Sequence, residues 1–538
     1  MLEWALPAAV VSGAVVETFV QPRAAMGLRA TRLIVSGCFA GALTLILLAL
    51  SARPVCSVVA AVVLMITVVA VSNAKFSALK EPLVFVDFAM LEQVVRHPQL
   101  FLPYLGVIPA AVIIGSIVLG IGAAVRLETP VRLLPGDRPM WLLLLIVCAS
   151  AVLVARVGPL RSCLTGWGWR LEPSLDPPAD IRRFGLFGTL LLTSFLFGDR
   201  TGKDAVRQRK RRTLAPPPSG VLPDIVAVQA ESFFDVRRMD RRIDRGALPC
   251  FDACAAEAVF RGRLEVPAWG GYTQRTEFAF LTGLPGAELG LDRFNPYLRF
   301  ARRPVWSIAH ELRELGYRTI CIHPFPGSFF GRDRVLPNLG FDVFLDIAAF
   351  QEARRFGPYV SDLSVAEKII EVLRLPGGPK FVFAITMENH GQWRKDRLPP
   401  EAIARTRALA PEFPSEFLCY LRHLESADAM IGRLTESLRM QGDGLLCVFG
   451  DHLPSFPKLF DRSGFTDPRS DYVIWRPHRT GAASAKDVSV LDLSDLLLSA
   501  AGIRSAPSAV VELRSGRQAS EVWHPAGLRP RAPVPPGP

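Results

Sequence analysis

The 538-residue sequence is poor in charged side chains, and it lacks an internal repeat and any C-x-x-C or zinc-finger spacing of cysteines. Only 21% of its residues are charged and half are apolar, which excludes a wholly disordered chain and disfavours a wholly soluble one. Cys250 and Cys254 lie one helical turn apart, where a bridge or a metal pair is conceivable, but we expect two inert thiols. The length predicts three or four domain-sized units.

Apolar residues concentrate near the N-terminus in runs long enough for membrane-spanning helices. Four runs approach the roughly 20 residues that a hydrocarbon core requires, at residues 33–50, 55–71, 101–125 and 140–155. A fifth run, at 6–20, carries Glu17 near its end. The start lacks a basic n-region and further apolar runs follow at once, so we do not expect a cleaved signal peptide. We predict a multi-pass α-helical membrane domain of four or five helices rather than the buried helices of a soluble protein.

The basic balance of the chain favours an anionic partner, either lipid headgroups or nucleic acid. The formal charge is +12 and the pI is near 9.5. The basic residues at 203–212 precede Pro216 in a linker and not in a recognisable nucleic-acid-binding module, so we predict a membrane partner and no nucleic acid. A solvated linker accounts for this run equally well. The positive-inside rule gives no orientation, because the arginines at 23–32 and at 126–138 argue for opposite sides.

Hydrophobic pattern and composition change along the sequence, and these changes predict four parts. Residues 1–157 form the membrane domain, and 158–220 contain an interfacial helix at 184–197 and a basic, proline-rich linker. Residues 221–505 alternate strand-like runs with helical patterns, which predicts an α/β domain with a largely parallel sheet. Residues 506–538 form a proline-rich tail that we expect to be disordered. The expected strands are 224–230, 318–322, 380–387, 444–449 and 472–475, and the expected helices are 306–315, 365–373 and 415–440.

Three of the predicted strands end in residues capable of metal binding or acid–base chemistry. The first strand leads into Glu231, the third into Glu388, Asn389 and His390, and the fourth into Gly450, Asp451 and His452. Ligands of open α/β sheets gather at the carboxyl ends of strands. A single Asp or His after a strand is more often a helix cap or a turn residue. Three such endings at one edge favour a functional site.

A glycine-rich turn at 270–273 supplies a hydroxyl for the same site. Gly270 and Gly271 allow close approach of the backbone to a ligand, and the helix that follows favours an anion at its N-terminus. Thr273 at the bend could be a nucleophile if a metal ion activates its hydroxyl. Oxygen and imidazole ligands from Glu231 and the Asp451–His452 pair suit Mn²⁺, Zn²⁺ or Mg²⁺. Taken alone, Thr273 would be assigned as an N-cap.

Five segments in this order, after an N-terminal membrane region, carry a resemblance to a known family. They read VAVQAESFFD, GGYTQRTEFAFLTG, FFGRDRVLPNLGFD, TMENHGQW and FGDHLPSF. The set resembles the lipoteichoic acid synthase and phosphoglycerol transferase branch of the sulfatase-like, alkaline phosphatase superfamily, over about residues 180–505. The resemblance implies a sulfatase-like α/β domain outside the cytoplasmic (inner) membrane, on the periplasmic side, anchored by five helices.

The resemblance also implies residue roles. The implied metal ligands, with Mn²⁺ expected ahead of Zn²⁺ or Mg²⁺, are Glu231, Thr273, Asp451 and His452. Thr273 is also the implied nucleophile. The implied substrate-binding side chains are Arg332, His390 and, less directly, His323. Phe330 falls where relatives often have tryptophan.

Two departures from the family pattern bear on the chemistry. The nucleophile segment reads G-Y-T-Q-R where relatives often read G-K-T-S-D, which leaves Thr276 as a poor second candidate for the attacking hydroxyl. No C-x-P-x-R or S-x-P-x-R occurs, so the formylglycine of true sulfatases cannot form and sulfate-ester hydrolysis is not expected.

The resemblance therefore implies a two-step transfer. Thr273 attacks the phosphorus of a lipid such as phosphatidylglycerol, His390 or a water assists the leaving oxygen, and an envelope glycan or polymer accepts the group. Three alternatives stay open: a phosphoethanolamine transferase, a phosphodiesterase that uses water, and a catalytically silent membrane scaffold.

Overall fold

The computed structural model describes residues 2–23, 29–106, 158–197, 213–394, 396–479 and 481–506, with isolated positions between 107 and 130. The chain divides into two compact units, Met1–Gly202 with Ser455–Pro457, and Lys203–Pro454 with Lys458–Pro538. Four predicted features lie outside the described residues, wholly or for most of their length. They are the apolar runs at 101–125 and 140–155, the basic run at 203–212 and the proline-rich tail.

The secondary structure of the N-terminal unit is helical, with turns and loops between the helices, over the part of the unit that the structure describes. Its helices are α1 Leu2–Glu17, α2 Arg29–Ser51, α3 Pro54–Leu79, α4 Leu91–Arg96, α5 Pro98–Leu105, α6 Gly158–Arg170, α7 Pro177–Phe184 and α8 Leu186–Leu196. In the described part of the chain, two helical segments are long and apolar enough to cross a membrane, Ala30–Ser51 and Pro54–Leu79. They coincide with the predicted runs at 33–50 and 55–71, and α8 falls within the short apolar segment predicted at 184–197.

Helix α1 explains how an acidic residue is accommodated in an apolar run. Glu17 is buried, and its two carboxylate oxygens accept hydrogen bonds from Arg32 Nη2 at 2.6 Å and Ser36 Oγ at 2.6 Å. The charge is thus paired inside the unit, as a buried charge must be. Apolar side chains on α2 and α3 are exposed instead, with Ile34 at 64% and Leu64 at 44%. Exposure of large apolar groups on such helices suits contact with lipid.

The second unit is an α/β domain. Its elements are β1 Thr213–Ala215, β2 Ile225–Ala230, α9 Pro249–Ala256, β3 Phe260–Glu265, α10 Thr273–Thr282, α11 Gly286–Leu289, α12 Pro296–Phe300, α13 Ile308–Glu314, β4 Arg318–Ile322, α14 Arg332–Asn338, β5 Val343–Leu345, β6 Arg355–Phe356, β7 Tyr359–Val360, α15 Asp362–Leu373, β8 Lys380–Ile385, α16 Pro400–Arg407, α17 Ser415–Gln441, β9 Leu445–Gly450, α18 Pro457–Ser463, β10 Ser470–Trp475, β11 Ser484–Ala485, β12 Val488–Ser489, α19 Val490–Ala500 and β13 Arg504–Ala506. Short 3₁₀ turns, including Phe329–Gly331, connect several of them.

The main sheet has the strand order β11-β3-β10-β9-β2-β8-β4-β5, with β12 also paired to β3. Strands β9, β2, β8, β4 and β5 run parallel to one another, and β10 runs antiparallel to both of its neighbours. The predicted largely parallel sheet is therefore confirmed. Every residue of β2, β8 and β9 is buried, as expected for strands covered by helices on both faces.

The described cysteines outside the sheet form no disulfide. Cys250 and Cys254 are both free, and burial raises the pKa of the Cys250 thiol to about 11. A protonated thiol is a poor nucleophile and a poor metal ligand, in agreement with the prediction of inert cysteines.

Candidate active site

The centre of the site lies where two neighbouring parallel strands end. Ala230 of β2 is in register with Gly450 of β9, so the residues that follow each strand lie side by side. Glu231, Asp451 and His452 are all buried, and each offers a ligand atom within 4.8 Å of the others. These three side chains form a candidate metal centre at the carboxyl edge of the sheet, where ligands bind in open α/β folds.

The hydrogen bonds of this cluster leave two of its ligand atoms, Asp451 Oδ2 and His452 Nε2, close together and able to bind a cation. Asp451 Oδ1 accepts from the backbone N–H groups of Ser232 at 2.8 Å and His452 at 2.9 Å. Asp451 Oδ2 is buried and has no hydrogen-bond partner among the described residues. His452 Nδ1 lies 3.0 Å from the carbonyl oxygen of Leu453, which can only accept, so Nδ1 carries the proton. The lone pair of His452 Nε2 then faces Asp451 Oδ2 at 3.3 Å and Glu231 Oε1 at 3.5 Å.

The electrostatics of the cluster fit a bound cation. Burial, together with the neighbouring Glu231 carboxylate, raises the pKa of Asp451 to about 7. Burial also raises the pKa of Glu231, against the lowering effect of His452. Two buried carboxylates are costly without a positive charge between them. This donor set suits a divalent ion, and it does not choose between Mn²⁺, Zn²⁺ and Mg²⁺.

Thr273 is the first residue of helix α10, beside the cluster. The preceding Tyr272 is left-handed, with φ of 65°, and Gly270 has φ of 70°, so the chain turns sharply before the helix begins. Thr273 Oγ1 donates a 3.4 Å hydrogen bond to Glu231 Oε2. By contrast, the fully buried Thr276 hydroxyl donates to the carbonyl oxygen of Asp451 at 2.8 Å. The Thr273 hydroxyl therefore lies at the N-terminus of the helix and contacts the Glu231 carboxylate. The Thr276 hydroxyl instead holds the backbone that follows β9.

The predicted substrate-binding residues Arg332 and His323 are both buried beside this cluster. Arg332 begins α14 and forms an ion pair with Glu277, in which its Nε lies 3.1 Å from Oε2 and its Nη2 contacts Oε1. His323 follows β4, and its Nδ1 lies 3.1 Å from the carbonyl oxygen of Ile385. Arg332 Nη1 and His323 Nε2 make no hydrogen bond to the described residues. Burial and the charge of Arg332 hold the pKa of His323 well below its usual range, so this imidazole is neutral.

His390 lies beyond the end of β8. Burial lowers its pKa to about 4, and the Asp451 carboxylate and the His452 ring are both close enough to affect it. Its Nδ1 lies 2.7 Å from the carbonyl oxygen of Gly391, so Nδ1 carries the proton and Nε2 is an acceptor. A neutral His390 in this tautomer suits accepting a proton from a hydroxyl group.

Sequence reasoning did not find the partners of two buried acids that support these side chains. Glu277 lies four residues after Thr273, and this helical spacing was the available signal for a shared face. Glu388 follows β8 three residues after its end and is not a member of the metal cluster. It accepts from the Asp362 backbone N–H at 2.7 Å, and its Oε1 lies 2.9 Å from His423 Nδ1. Both acids are fully buried, and no pattern in the sequence pairs either with its distant partner.

Comparisons with known proteins agree with this geometry. The Sulfatase family profile matches residues 223–503, more than half of the chain. The capsular polysaccharide biosynthesis protein RkpI of Rhizobium meliloti is 30% identical over 438 residues, which cover 79% of this chain and 78% of that protein. Phosphoglycerol transferase I of Xanthomonas axonopodis pv. citri is 25% identical over 43% of this chain, and the match spans 34% of that protein's length.

A solved structure matches nearly the whole fold. The integral membrane lipooligosaccharide phosphoethanolamine transferase A of Neisseria meningitidis aligns over 93% of this chain and 95% of its own, with a TM-score of 0.53 and 13% identity. At that identity the likeness concerns the fold alone. The strand-end cluster, the α/β sheet and the family profile together define a sulfatase-type domain of the alkaline phosphatase superfamily. The chain belongs to the Sulfatase family.

Proposed function

We propose that this chain is a membrane-anchored, metal-dependent transferase that moves phosphoglycerol from phosphatidylglycerol to an envelope glycan or polymer. The observation that carries the proposal is the convergence of Glu231, Asp451 and His452 within 4.8 Å, with the Thr273 hydroxyl 3.4 Å from Glu231. The names of two relatives, a capsular polysaccharide biosynthesis protein and a phosphoglycerol transferase, support an envelope acceptor and this donor.

The three ligands and Thr273 would hold a divalent ion, Mn²⁺ in our proposal, which when bound lowers the pKa of the hydroxyl and neutralises charge on phosphate oxygens. Thr273 Oγ1 attacks phosphorus and its proton passes to Glu231 Oε2, the acceptor of its hydrogen bond. The bond from phosphorus to the diacylglycerol oxygen breaks, and that oxygen takes a proton from water. The result is a phosphoglycerol ester of Thr273.

The second step returns the enzyme to its starting state. An acceptor hydroxyl gives its proton to His390 Nε2 and attacks phosphorus. The bond from phosphorus to Thr273 Oγ1 breaks, and Oγ1 takes back the proton that Glu231 Oε2 received in the first step. His390 then gives its proton to the hydroxide left by the first step. The neutral tautomer of His390 supports this role, because its free ring nitrogen is an acceptor. Arg332 Nη1 would donate to the phosphate, and His323 Nε2 would accept from a glycerol hydroxyl, since both nitrogens are buried and have no partner among the described residues.

Substitution of Thr273 tests the proposal in the full-length chain. We expect Thr273→Ala to reduce diacylglycerol release from headgroup-labelled phosphatidylglycerol to background, because the proposed nucleophile is then absent. Thr273→Ser keeps a hydroxyl and should retain activity. Metal content and a circular dichroism spectrum like that of the wild type would establish that the alanine variant is folded. Undiminished release by the alanine variant would refute Thr273 as the nucleophile.

The same assay distinguishes the alternatives. Phosphatidylethanolamine offered in parallel tests the other headgroup, and release without transfer to a membrane glycan extract indicates a phosphodiesterase. A wild-type protein that binds no stoichiometric ion and turns over neither lipid would be a scaffold.

A further inference from the structure

Glu277 lies at the centre of a fully buried hydrogen-bond group next to the proposed site. Its Oε1 contacts Arg332 Nη2, and its Oε2 accepts from Arg332 Nε at 3.1 Å and from the Tyr297 hydroxyl at 2.7 Å. Glu277 is completely buried, and Arg332 and Tyr297 are each about 1% exposed. Both carboxylate oxygens accept hydrogen bonds, which is the pattern of an ionised carboxylate.

The pair fixes the guanidinium in one orientation. Glu277 occupies the edge formed by Nε and Nη2, and the Phe330 ring lies 5.3 Å from the guanidinium carbon. Nη1 is then the nitrogen that remains without a partner among the described residues. The charge of Arg332 reaches the candidate metal centre, because it lowers the pKa of Glu231 against the larger, opposite effect of burial. A substrate bound there meets an N–H donor whose positive charge is already balanced.

His323 is the other buried group here with an unpartnered nitrogen, and it adds no charge either. Its Nδ1 lies 3.1 Å from the carbonyl oxygen of Ile385 and carries the proton, so Nε2 is an acceptor. His323 Nε2 is unpartnered, and burial together with Arg332 keeps that ring neutral. Arg332, balanced by Glu277, and the neutral His323 therefore add no net positive charge beside the metal centre. The charge of Arg397 also acts on Glu231, but its Nη1 and Nη2 already donate to backbone carbonyl oxygens of residues 388–392. A phosphodiester carries one negative charge, whereas a phosphate monoester carries nearly two at neutral pH. A balanced pocket accommodates the first at less cost than the second.

We propose that Glu277 makes the site selective for monoanionic phosphodiesters over dianionic phosphate monoesters, by cancelling the charge of Arg332 while holding Nη1 toward the substrate. The inference rests on the proposed phosphoryl transfer at Thr273 and adds the residue that sets its preference for a diester. It also explains why a site that handles a lipid diester would not be occupied by the abundant dianionic phosphate monoesters and inorganic phosphate around it. Glu277 is a positioning and specificity residue, since it acts through Arg332.

Two substitutions separate charge from geometry. Glu277→Gln keeps the shape and removes the charge, whereas Glu277→Asp keeps the charge and shortens the reach. The full-length protein would be assayed with bis(p-nitrophenyl) phosphate and p-nitrophenyl phosphate at about pH 8, where the monoester is dianionic. We expect the glutamine variant to shift the ratio of kcat/KM toward the monoester by about tenfold or more. The aspartate variant should lose overall activity with the ratio nearly unchanged.

A binding readout accompanies the kinetics. Inorganic phosphate, which is mainly dianionic at that pH, should inhibit the glutamine variant at about tenfold lower concentration than the wild type. An equal loss of both activities in the glutamine variant, with no change in phosphate inhibition, would overturn the inference and leave Glu277 a structural residue. A wild type that prefers the monoester would overturn it as well.

A different result would refute the proposed function without refuting the role of Glu277. If the wild type cleaves the chromogenic diester but releases no diacylglycerol from phosphatidylglycerol, the donor assignment is wrong, and the selectivity ratio still decides the role of Glu277.

Discussion

Buried acids around the site are the residues whose protonation couples function to stability. Burial raises the pKa of Glu388 to about 7, against the lowering effects of the Asp362 backbone N–H and nearby arginines. Burial also raises the pKa of Asp362 well above its ordinary value, and the charge of Glu388 adds to it. His423, 2.9 Å from Glu388, has its pKa held well below its usual range by burial. The three groups therefore favour their neutral forms in the folded protein.

The pH dependence of folding follows from the sign of the Glu388 shift. The folded state holds a proton that the unfolded chain has lost, so the free energy of unfolding falls as the pH rises from about 4.5 to about 7. The contribution is at most about 3 kcal/mol. We expect Glu388→Gln to flatten this fall in thermal melts recorded at equal metal content. The exposed Glu401→Gln serves as a control and should melt like the wild type. Parallel curves for both variants would show that Glu388 does not titrate in this window.

The sequence predicted the position of polar residues that directly follow a buried strand. It did not predict contacts between side chains that lie far apart in the chain. It predicted that Glu231, Asp451 and His452 share one edge of a sheet, and their ligand atoms lie within 4.8 Å of one another. The roles of these side chains remain predictions. Glu277 could not be paired with Arg332, 55 positions away, because that contact depends on how α10 and α14 pack.

At the scale of elements, the end of β9 is the most tightly constrained segment that leads to the site. A Cβ placed on Gly450 would lie 1.8 Å from the carbonyl oxygen of Phe233. That oxygen belongs to backbone and cannot move aside as the end of a flexible side chain could. Gly450 thus permits the close approach that places Asp451, the next residue, beside Glu231.

We expect Gly450→Ala to destabilise the domain by on the order of 2–3 kcal/mol, since overpacking of this kind forces backbone shifts. Metal affinity should fall with stability, because Asp451 follows directly. Gly378→Ala is a suitable control, since its Cβ would meet its nearest neighbour at 3.7 Å. Chemical denaturation and metal titration measure both effects. A Gly450→Ala protein as stable as the Gly378→Ala protein would contradict the close approach.

The sheet itself was largely predictable, with one instructive omission. Apolar runs identified β2, β4, β8, β9 and β10, because strands buried on both faces are almost continuously apolar. Strand β3, with the sequence FRGRLE, was missed because most of its side chains are half-buried or exposed and three are charged. Its position follows from pairing with β10, which is a tertiary contact and leaves no periodic pattern in the local sequence.

At the scale of the whole molecule, the untested expectations concern the membrane. Two described segments, Ala30–Ser51 and Pro54–Leu79, have the length and composition of spans. The number of spans, the four-part domain division and the periplasmic placement of the α/β domain remain predictions. A phospholipid donor gives a physical reason for an anchor, since such a lipid stays in the bilayer.

We expect the full-length chain to sediment with membranes, to resist extraction by high salt and alkaline carbonate, and to dissolve in detergent. The apolar side chains exposed on α2 and α3 require such an environment. A reporter that is active only outside the cytoplasm, fused after residue 506, should give signal in the proposed topology. A peripheral marker protein released by carbonate provides the control. Release of the chain itself by carbonate would rule out spanning helices.

Helix α10 carries Thr273 at its first residue and Glu277 one turn later, and every residue from Gln274 to Thr282 is buried. A rigid, enclosed segment of this kind cannot adjust one of the two groups without displacing the other. A redesign of donor preference should therefore replace the whole of α10 together with Arg332, because exchange of single residues in the helix would misalign the reacting hydroxyl.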